Sequence, residues 1–115
     1  MRVLLVTDDD RFADRVTAAA AQQGLPIARA STDDDLDETA DATTPNVVAL
    51  DARTKLGRTA RTATAFASVH PSIAVVVVAR KASPRTLAGL RLVDEWSPPE
   101  RLIDELNAAH LGLMH

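Results

Sequence analysis

The stretch "VLLVTDDD", residues 3–10, places four apolar residues directly before three aspartates. Two more short apolar segments follow, "VVAL" at 47–50 with Asp51 after it and "IAVVVVA" at 73–79. None of them alternates with polar residues, which is the pattern of central parallel strands covered by helices on both faces. The three segments therefore predict a buried parallel sheet that has acidic residues at the carboxyl ends of two of its strands.

The segments between these strands show helical periodicity. Residues 11–23 repeat apolar side chains at helical spacing and are followed by Gly24, a residue typical of helix ends. The acidic segment 32–42 is weaker, with Ser31 or Thr32 as its N-cap. The remaining predicted elements are helices at 58–69, 83–90 and 98–111 and flanking strands at 25–30 and 91–96.

Strands that alternate with helices along the whole chain predict an α/β fold with right-handed crossovers. We expect a single doubly wound (βα)5 domain over residues 1–115, with a five-stranded parallel sheet of order 2-1-3-4-5. The chain has 115 residues, of which 46% are hydrophobic, and this is the size of one ordinary globular domain.

Composition excludes several classes of function. The chain has no cysteine, which rules out disulfides, thiolate zinc sites and cysteine nucleophiles, and favours the cytoplasm. A net charge of −3 argues against direct nucleic-acid binding. No apolar stretch approaches the ~20 residues of a membrane helix, so no membrane insertion is expected. Glycine-rich phosphate loops and G-x-S-x-G elbows are missing, and we predict that the protein is not an enzyme.

The aspartates after the strands point to a cation site. In the order 2-1-3-4-5, strands 1 and 3 are neighbours, and ligands bind in the crevice outside such a switch point. Asp8, Asp9 and Asp51 converge there, and clustered carboxylates repel one another unless a cation sits among them. Mg²⁺ suits such oxygen ligands. The alternatives are that Asp9 or Asp10 caps the first helix and that Asp51 is a solvated loop residue.

Three motifs together resemble one known family over essentially the whole chain. They are "VLLVTDDDRF", "PNVVALD" and "SPPERLIDEL", and they resemble the receiver domain of bacterial two-component response regulators. The resemblance implies a flavodoxin-like fold with Asp51 as the phosphoacceptor and Mg²⁺ held by an acid pair. That pair is either Thr7 and Asp8 or, after a one-residue shift, Asp8 and Asp9. The backbone carbonyl of Arg53 is the remaining implied metal ligand.

The chain also departs from the family's pattern. Thr7 stands at the place of the first acid, Ala79 at the place of a phosphate-binding Ser or Thr, and Ser97 at the place of a lysine. Trp96 is the nearest candidate for the aromatic residue of strand 5. It is either a core residue or an interface anchor, and the interface is the favoured interpretation. We hypothesise that the missing positive charge comes from loop residues, namely Arg53, Lys55, Arg58, Arg80 and Lys81.

Two functions follow from the resemblance and its gaps. The favoured one is an atypical receiver, a signalling and protein-interaction module with weak or no phosphorylation-dependent switching, as in pilus-assembly and septum-site localisation proteins. The alternative is a phosphorylatable receiver that accepts a phosphoryl group on Asp51 with Mg²⁺ in a bacterial phosphorelay. The expected partners are a kinase, an output domain or localisation machinery. A homodimer through strand 4, strand 5 and the last helix is a further expectation.

Overall fold

The computed structural model describes residues 1–54, 56–79, 91–94 and 99–113. These residues form five parallel strands and four helices, and the sheet order β2-β1-β3-β4-β5 confirms the predicted order. The predicted helix at 83–90 lies outside the described residues. The elements in chain order are β1 (Val3–Val6), α1 (Asp10–Gln22), β2 (Ile27–Ala30), α2 (Leu36–Thr43), β3 (Val47–Asp51), α3 (Leu56–Val69), β4 (Ala74–Ala79), β5 (Arg91–Asp94) and α4 (Pro99–Leu113).

The sheet separates two apolar cores because successive side chains of a strand point to opposite faces. In β1, Val3 and Leu5 pack in the core that includes the buried residues of α1 and α4. Leu4 and Val6 pack in the core on the other face, with the buried residues of α2 and α3. Each face of β1 is therefore covered, which explains its unbroken apolar run. None of the helices in the described part of the chain is long and apolar enough to cross a bilayer.

Helix α1 begins at Asp10, one residue before the predicted start. Asp9 is its N-cap, and the Asp9 Oδ1 atom accepts a hydrogen bond of 3.1 Å from the backbone N–H of Phe12. After the helix, Gly24 adopts a left-handed conformation with φ of 67°, which a residue without a Cβ tolerates best. The N-cap role, one of the two interpretations of Asp9, is thereby observed.

Helix α2 starts later than predicted. Its N-cap is Asp35, whose Oδ1 accepts from the backbone N–H of Glu38 at 3.1 Å, so the prediction of Ser31 or Thr32 as the cap was wrong. The reason is local, because Asp34 Oδ2 accepts a hydrogen bond from the backbone N–H of Ser31 at 2.9 Å and closes a turn. Short acidic side chains compete in this way with helical backbone bonds.

Candidate functional site

The carboxyl ends of β1 and β3 meet at one edge of the sheet. The register pairs Val6 with Leu50, so that Thr7, the residue after β1, lies beside Asp51, the last residue of β3. An open cleft of about 360 Å³ lies at this edge, and Asp8, Asp9, Asp51 and Arg53 are among its lining residues. The cleft is at the predicted switch point between strands 1 and 3.

Asp51 accepts hydrogen bonds at both of its carboxylate oxygens. Its Oδ1 accepts from Arg53 Nε at 2.8 Å and from the Arg53 backbone N–H at 3.1 Å. Its Oδ2 accepts from Arg53 Nη2 at 2.9 Å and from Thr7 Oγ1 at 2.7 Å. The pairing with the guanidinium is bidentate, which is among the strongest hydrogen-bonded arrangements between side chains. Only 11% of the Asp51 side chain is exposed.

The Arg53 guanidinium connects Asp51 to a second carboxylate. Arg53 Nη2 also donates to Asp9 Oδ2 at 2.8 Å. The guanidinium carbon lies 4.3 Å from the centroid of the Phe12 ring, within the range of a cation–π contact. The Arg53 side chain is only 15% exposed. It is thus a partly buried cation between two carboxylates and an aromatic ring, and not a free side chain of a surface loop.

Thr7 joins the backbone of the β1–α1 loop to Asp51. Its hydroxyl donates to Asp51 and accepts from the backbone N–H of Asp9 at 3.1 Å. Thr7 is 1% exposed and is the one buried polar residue in the described part of the chain. Because both hydrogen-bonding roles of the hydroxyl are used, its burial is compensated. We refer to Thr7, Asp9, Asp51 and Arg53 together as the guanidinium network.

The opposite charges in the guanidinium network stabilise the ionised form of each group. Burial alone would raise the pKa of Asp51, but hydrogen bonds from Arg53 and Thr7 outweigh it and the pKa is lowered. The backbone N–H of Phe12 and, after it, the Arg53 side chain lower the pKa of Asp9. The hydrogen bonds to Asp51 raise the pKa of Arg53 further above its already high value. All three groups are therefore ionised at neutral pH.

Asp8 belongs to a separate group of contacts. Its Oδ1 accepts from Ser31 Oγ at 2.7 Å and from the Thr32 backbone N–H at 3.1 Å, and its Oδ2 accepts from the Thr32 hydroxyl. These bonds, led by that of the Thr32 hydroxyl, lower the pKa of Asp8. Asp8 thus lines the same cleft as Asp51, as the sequence predicted, but hydroxyls after β2 hold its carboxylate and it shares no hydrogen-bond donor with Asp51. We refer to Asp8, Ser31 and Thr32 as the hydroxyl network.

The side chains, as arranged, do not fit Mg²⁺. No group of three or more metal-ligating side chains is present among the described residues. Asp9 and Asp51 share the Arg53 guanidinium, which already neutralises their charge, and Thr7 supplies a neutral hydroxyl instead of a carboxylate. The Mg²⁺ site, with its ligands Asp8, Asp9, Asp51 and the Arg53 carbonyl, therefore stays a prediction that requires Arg53 to move away.

The structure describes only some of the positions at which the chain departs from the family's pattern. The β3–β4 register pairs Asp51 with Val78, and Ala79 is the next residue, buried at the end of β4. Its methyl group has no atom that donates or accepts a hydrogen bond, so the interpretation of Ala79 as a degenerate position stays a prediction. The predictions for Lys55, Arg80, Lys81, Trp96 and Ser97 all concern positions outside the described residues.

Sequence reasoning missed the roles of two side chains. For Arg53 it favoured the backbone carbonyl and a general supply of charge, whereas the guanidinium is the centre of the site. A signal was present in the spacing, because an acid two residues before an arginine in a loop can form a turn that brings the two together. The bond from the Arg53 backbone N–H to Asp51 Oδ1 is that turn. Thr7 was interpreted only as the position where an acid is missing. Its hydroxyl, which donates a hydrogen bond to Asp51, was not predicted.

The comparisons with known proteins concern the fold. No protein-family model matches the chain, and no curated protein does. Among solved structures, an atypical orphan response regulator, whose structure is described as revealing a phosphorylation-independent regulatory mechanism, matches with a TM-score of 0.81, 15% identity and coverage of 96% of each chain. The chemotaxis response regulator CheY4 of Vibrio cholerae matches with a TM-score of 0.78 and 16% identity, covering 94% of this chain and 97% of that one.

A third similar structure is a putative pilus assembly-related protein from Burkholderia pseudomallei. It matches with a TM-score of 0.74 and 17% identity, and the alignment covers 96% of this chain and 90% of the other. At such identities the likeness concerns the fold alone. The chain therefore has the flavodoxin-like α/β fold of response-regulator receiver domains, in agreement with the resemblance that its motifs carry.

Proposed function

We propose that this protein is an atypical receiver-fold module of the bacterial cytoplasm that acts in signalling by binding other proteins, without phosphorylation of Asp51. The observation that carries the proposal is the bidentate pairing of Asp51 with Arg53, reinforced by the Thr7 hydroxyl. The module is a binding protein in this proposal and not an enzyme.

The contacts of Asp51 disfavour nucleophilic attack by its carboxylate. An oxygen that attacks a phosphodonor needs an available lone pair and an open approach. Both Asp51 oxygens accept hydrogen bonds from the guanidinium, and only 11% of the side chain is exposed. Ion pairing that lowers the pKa of Asp51 also makes its oxygens less basic and weaker as nucleophiles. Ala79 adds no hydroxyl that would hold a phosphoryl group.

The second candidate, a phosphorylatable receiver, has one observation in its favour. Asp51 ends β3 at the switch point of the sheet, and it lines an open cleft together with Asp8 and Asp9. Movement of Arg53 out of this cleft would free the Asp51 carboxylate for Mg²⁺ and a phosphodonor. The two candidates therefore differ in whether Arg53 stays on Asp51 when both reagents are present.

The experiment that separates them is the intact mass of the protein after incubation with acetyl phosphate, with and without Mg²⁺. We expect no gain of a phosphoryl group in the wild type under either condition. A receiver domain that takes up phosphate in the same buffer serves as the positive control. A Mg²⁺-dependent gain that is lost in Asp51→Asn would overturn the proposal and establish the second candidate.

The class of partner in this proposal is a protein, such as a kinase, an output domain or localisation machinery. The supporting comparisons are two solved structures of the same fold, the orphan regulator described as phosphorylation-independent and the pilus assembly-related protein. Homodimerisation through β4, β5 and α4 belongs to the same proposal. Light scattering over a range of protein concentrations tests it, and a monomer at all concentrations would remove the homodimer from the proposal.

A further inference from the structure

We infer that the Arg53 guanidinium is a resident cation that closes a latent divalent-cation site, so that the carboxylates of Asp9 and Asp51 bind a metal ion only when this side chain is removed. The inference deepens the proposed function, because it explains in chemical terms why the acid cluster is inert. It rests on the observation that the side chains of this cleft, as arranged, do not fit the Mg²⁺ ion that the fold implies.

The geometry places one nitrogen between two anions. Arg53 Nη2 lies 2.8 Å from Asp9 Oδ2 and 2.9 Å from Asp51 Oδ2, so the same atom holds oxygens from β3 and from the β1–α1 loop. These two residues are 42 positions apart in the chain and would otherwise present like charges to each other. Close carboxylates need a cation between them to remain ionised. The guanidinium provides that positive charge in the folded protein.

Three contacts besides those of Nη2 keep the guanidinium in place. The Arg53 backbone N–H binds Asp51 Oδ1, which fixes the start of the side chain. Its Nε binds the same oxygen, and its guanidinium carbon stacks on the Phe12 ring at 4.3 Å. A metal ion that enters the cleft must break this arrangement before it reaches the carboxylates. Hydrated Mg²⁺ releases water reluctantly, which makes that exchange unfavourable.

Removal of the guanidinium leaves a donor set suited to a divalent ion. Asp9 and Asp51 are both placed by regular elements, the first as the N-cap of α1 and the second at the end of β3. Both line an open cleft that admits water. Mg²⁺ is typically bound by one or two carboxylates, with water completing its coordination. A single substitution of Arg53 should therefore create the divalent-cation site that the wild type lacks.

The test is thermal unfolding with increasing MgCl2 or MnCl2 in the absence of any phosphodonor. In Arg53→Ala we expect a rise in Tm of roughly 3–6 °C at about ten times the dissociation constant of the ion. We expect no rise in the wild type. Arg53→Lys keeps a positive charge and should behave like the wild type. Asp51→Asn combined with Arg53→Ala should lose the response.

A matched control separates local from general electrostatics. Arg58 lines the same cleft from α3 but pairs with neither Asp9 nor Asp51. Arg58→Ala removes the same charge and should leave the protein insensitive to the metal. If Arg53→Ala does not fold, Arg53→Gln replaces it, because its amide can still donate to Asp51 without carrying a charge.

Two results would overturn the inference. One is a metal-dependent rise in Tm of the wild type that Asp51→Asn abolishes, since the ion would then displace the guanidinium. The other is a folded Arg53→Ala or Arg53→Gln variant that does not respond to either metal. Because no phosphodonor is present, these results are independent of the mass measurement that tests the proposed function.

Discussion

Asp8 and Asp9 are neighbours in the chain, yet they belong to two different networks at the same edge of the sheet. In the guanidinium network, Asp9 shares Arg53 with Asp51, and Thr7 and Arg53 are largely buried. In the hydroxyl network, Asp8 is exposed and binds the hydroxyls of Ser31 and Thr32. The first network is charged and, apart from the half-exposed Asp9, largely buried. In the second, the partners of Asp8 are neutral groups in contact with water.

The difference shows how the surroundings decide what an aspartate contributes. Water competes for every hydrogen bond of the hydroxyl network, so its net contribution to stability is small. Burial of Thr7, Asp51 and Arg53 reduces this competition in the guanidinium network, and a buried group that loses its partner there keeps its cost of desolvation. Substitutions in the guanidinium network should therefore have larger effects than substitutions in the hydroxyl network.

The largest effect is expected for Arg53→Ala. It leaves Asp51 and Asp9 without their shared cation, and we expect the free energy of unfolding to fall by about 2–3 kcal/mol. Urea unfolding at neutral pH measures this loss. Arg58→Ala, on the same cleft, should change stability by less than about 0.5 kcal/mol. Equal losses of stability in the two variants would show that Arg53 contributes no more to the fold than Arg58, which has no partner in the guanidinium network.

Thr7→Val should have the second largest effect. Valine keeps the shape of the buried side chain but removes a donor to Asp51 and an acceptor for the Asp9 backbone N–H. We expect a loss of about 1–2 kcal/mol in urea unfolding, with most of it recovered in Thr7→Ser. Thr32→Val makes the corresponding change in the hydroxyl network. A loss in Thr32→Val as large as in Thr7→Val would contradict the comparison.

The pH dependence of stability provides a third test. The pKa of Asp51 is lower in the folded state than its unfolded value of about 3.9, so its contribution is complete above about pH 5. That contribution is lost as the pH falls through the unfolded value towards the folded pKa. Asp51→Asn should therefore show a flatter decline in Tm below pH 5 than the wild type, at constant ionic strength. Parallel curves would show that Asp51 does not contribute to acid unfolding.

Asp8→Asn is expected to have the smallest effect. Its carboxylate is exposed, and the asparagine oxygen still accepts from the hydroxyl of Ser31. We expect a Tm close to that of the wild type and no coupling with Arg53→Ala in a double-mutant cycle. Coupling between the two substitutions would show that the two networks act together.

The sequence predicted more of the sheet than of the loops that follow it. Unbroken apolar runs such as Val3–Val6 identified the central strands, because a strand covered on both faces has no position for polar side chains. The start of α2 was wrong, since Asp34 and Asp35 compete for local backbone donors and pattern alone does not decide between them. Asp51 was found at the end of β3, but the partner of its carboxylate was not.

By itself, the sequence determined the layered α/β fold, the strand order and the gathering of acids at one sheet edge. These properties follow from hydrophobic periodicity and from the order of the elements, both of which can be identified from the sequence. Only the tertiary structure decided that Asp8 turns towards β2 while Asp9 and Asp51 share Arg53. That choice depends on groups 23 to 44 residues apart that meet only in the folded protein, such as Thr7 and Asp51 or Asp8 and Ser31. The direction of these side chains and their long-range pairing are properties of that meeting, and of the pairs in the site only Asp51 with Arg53 has a local signal in the sequence.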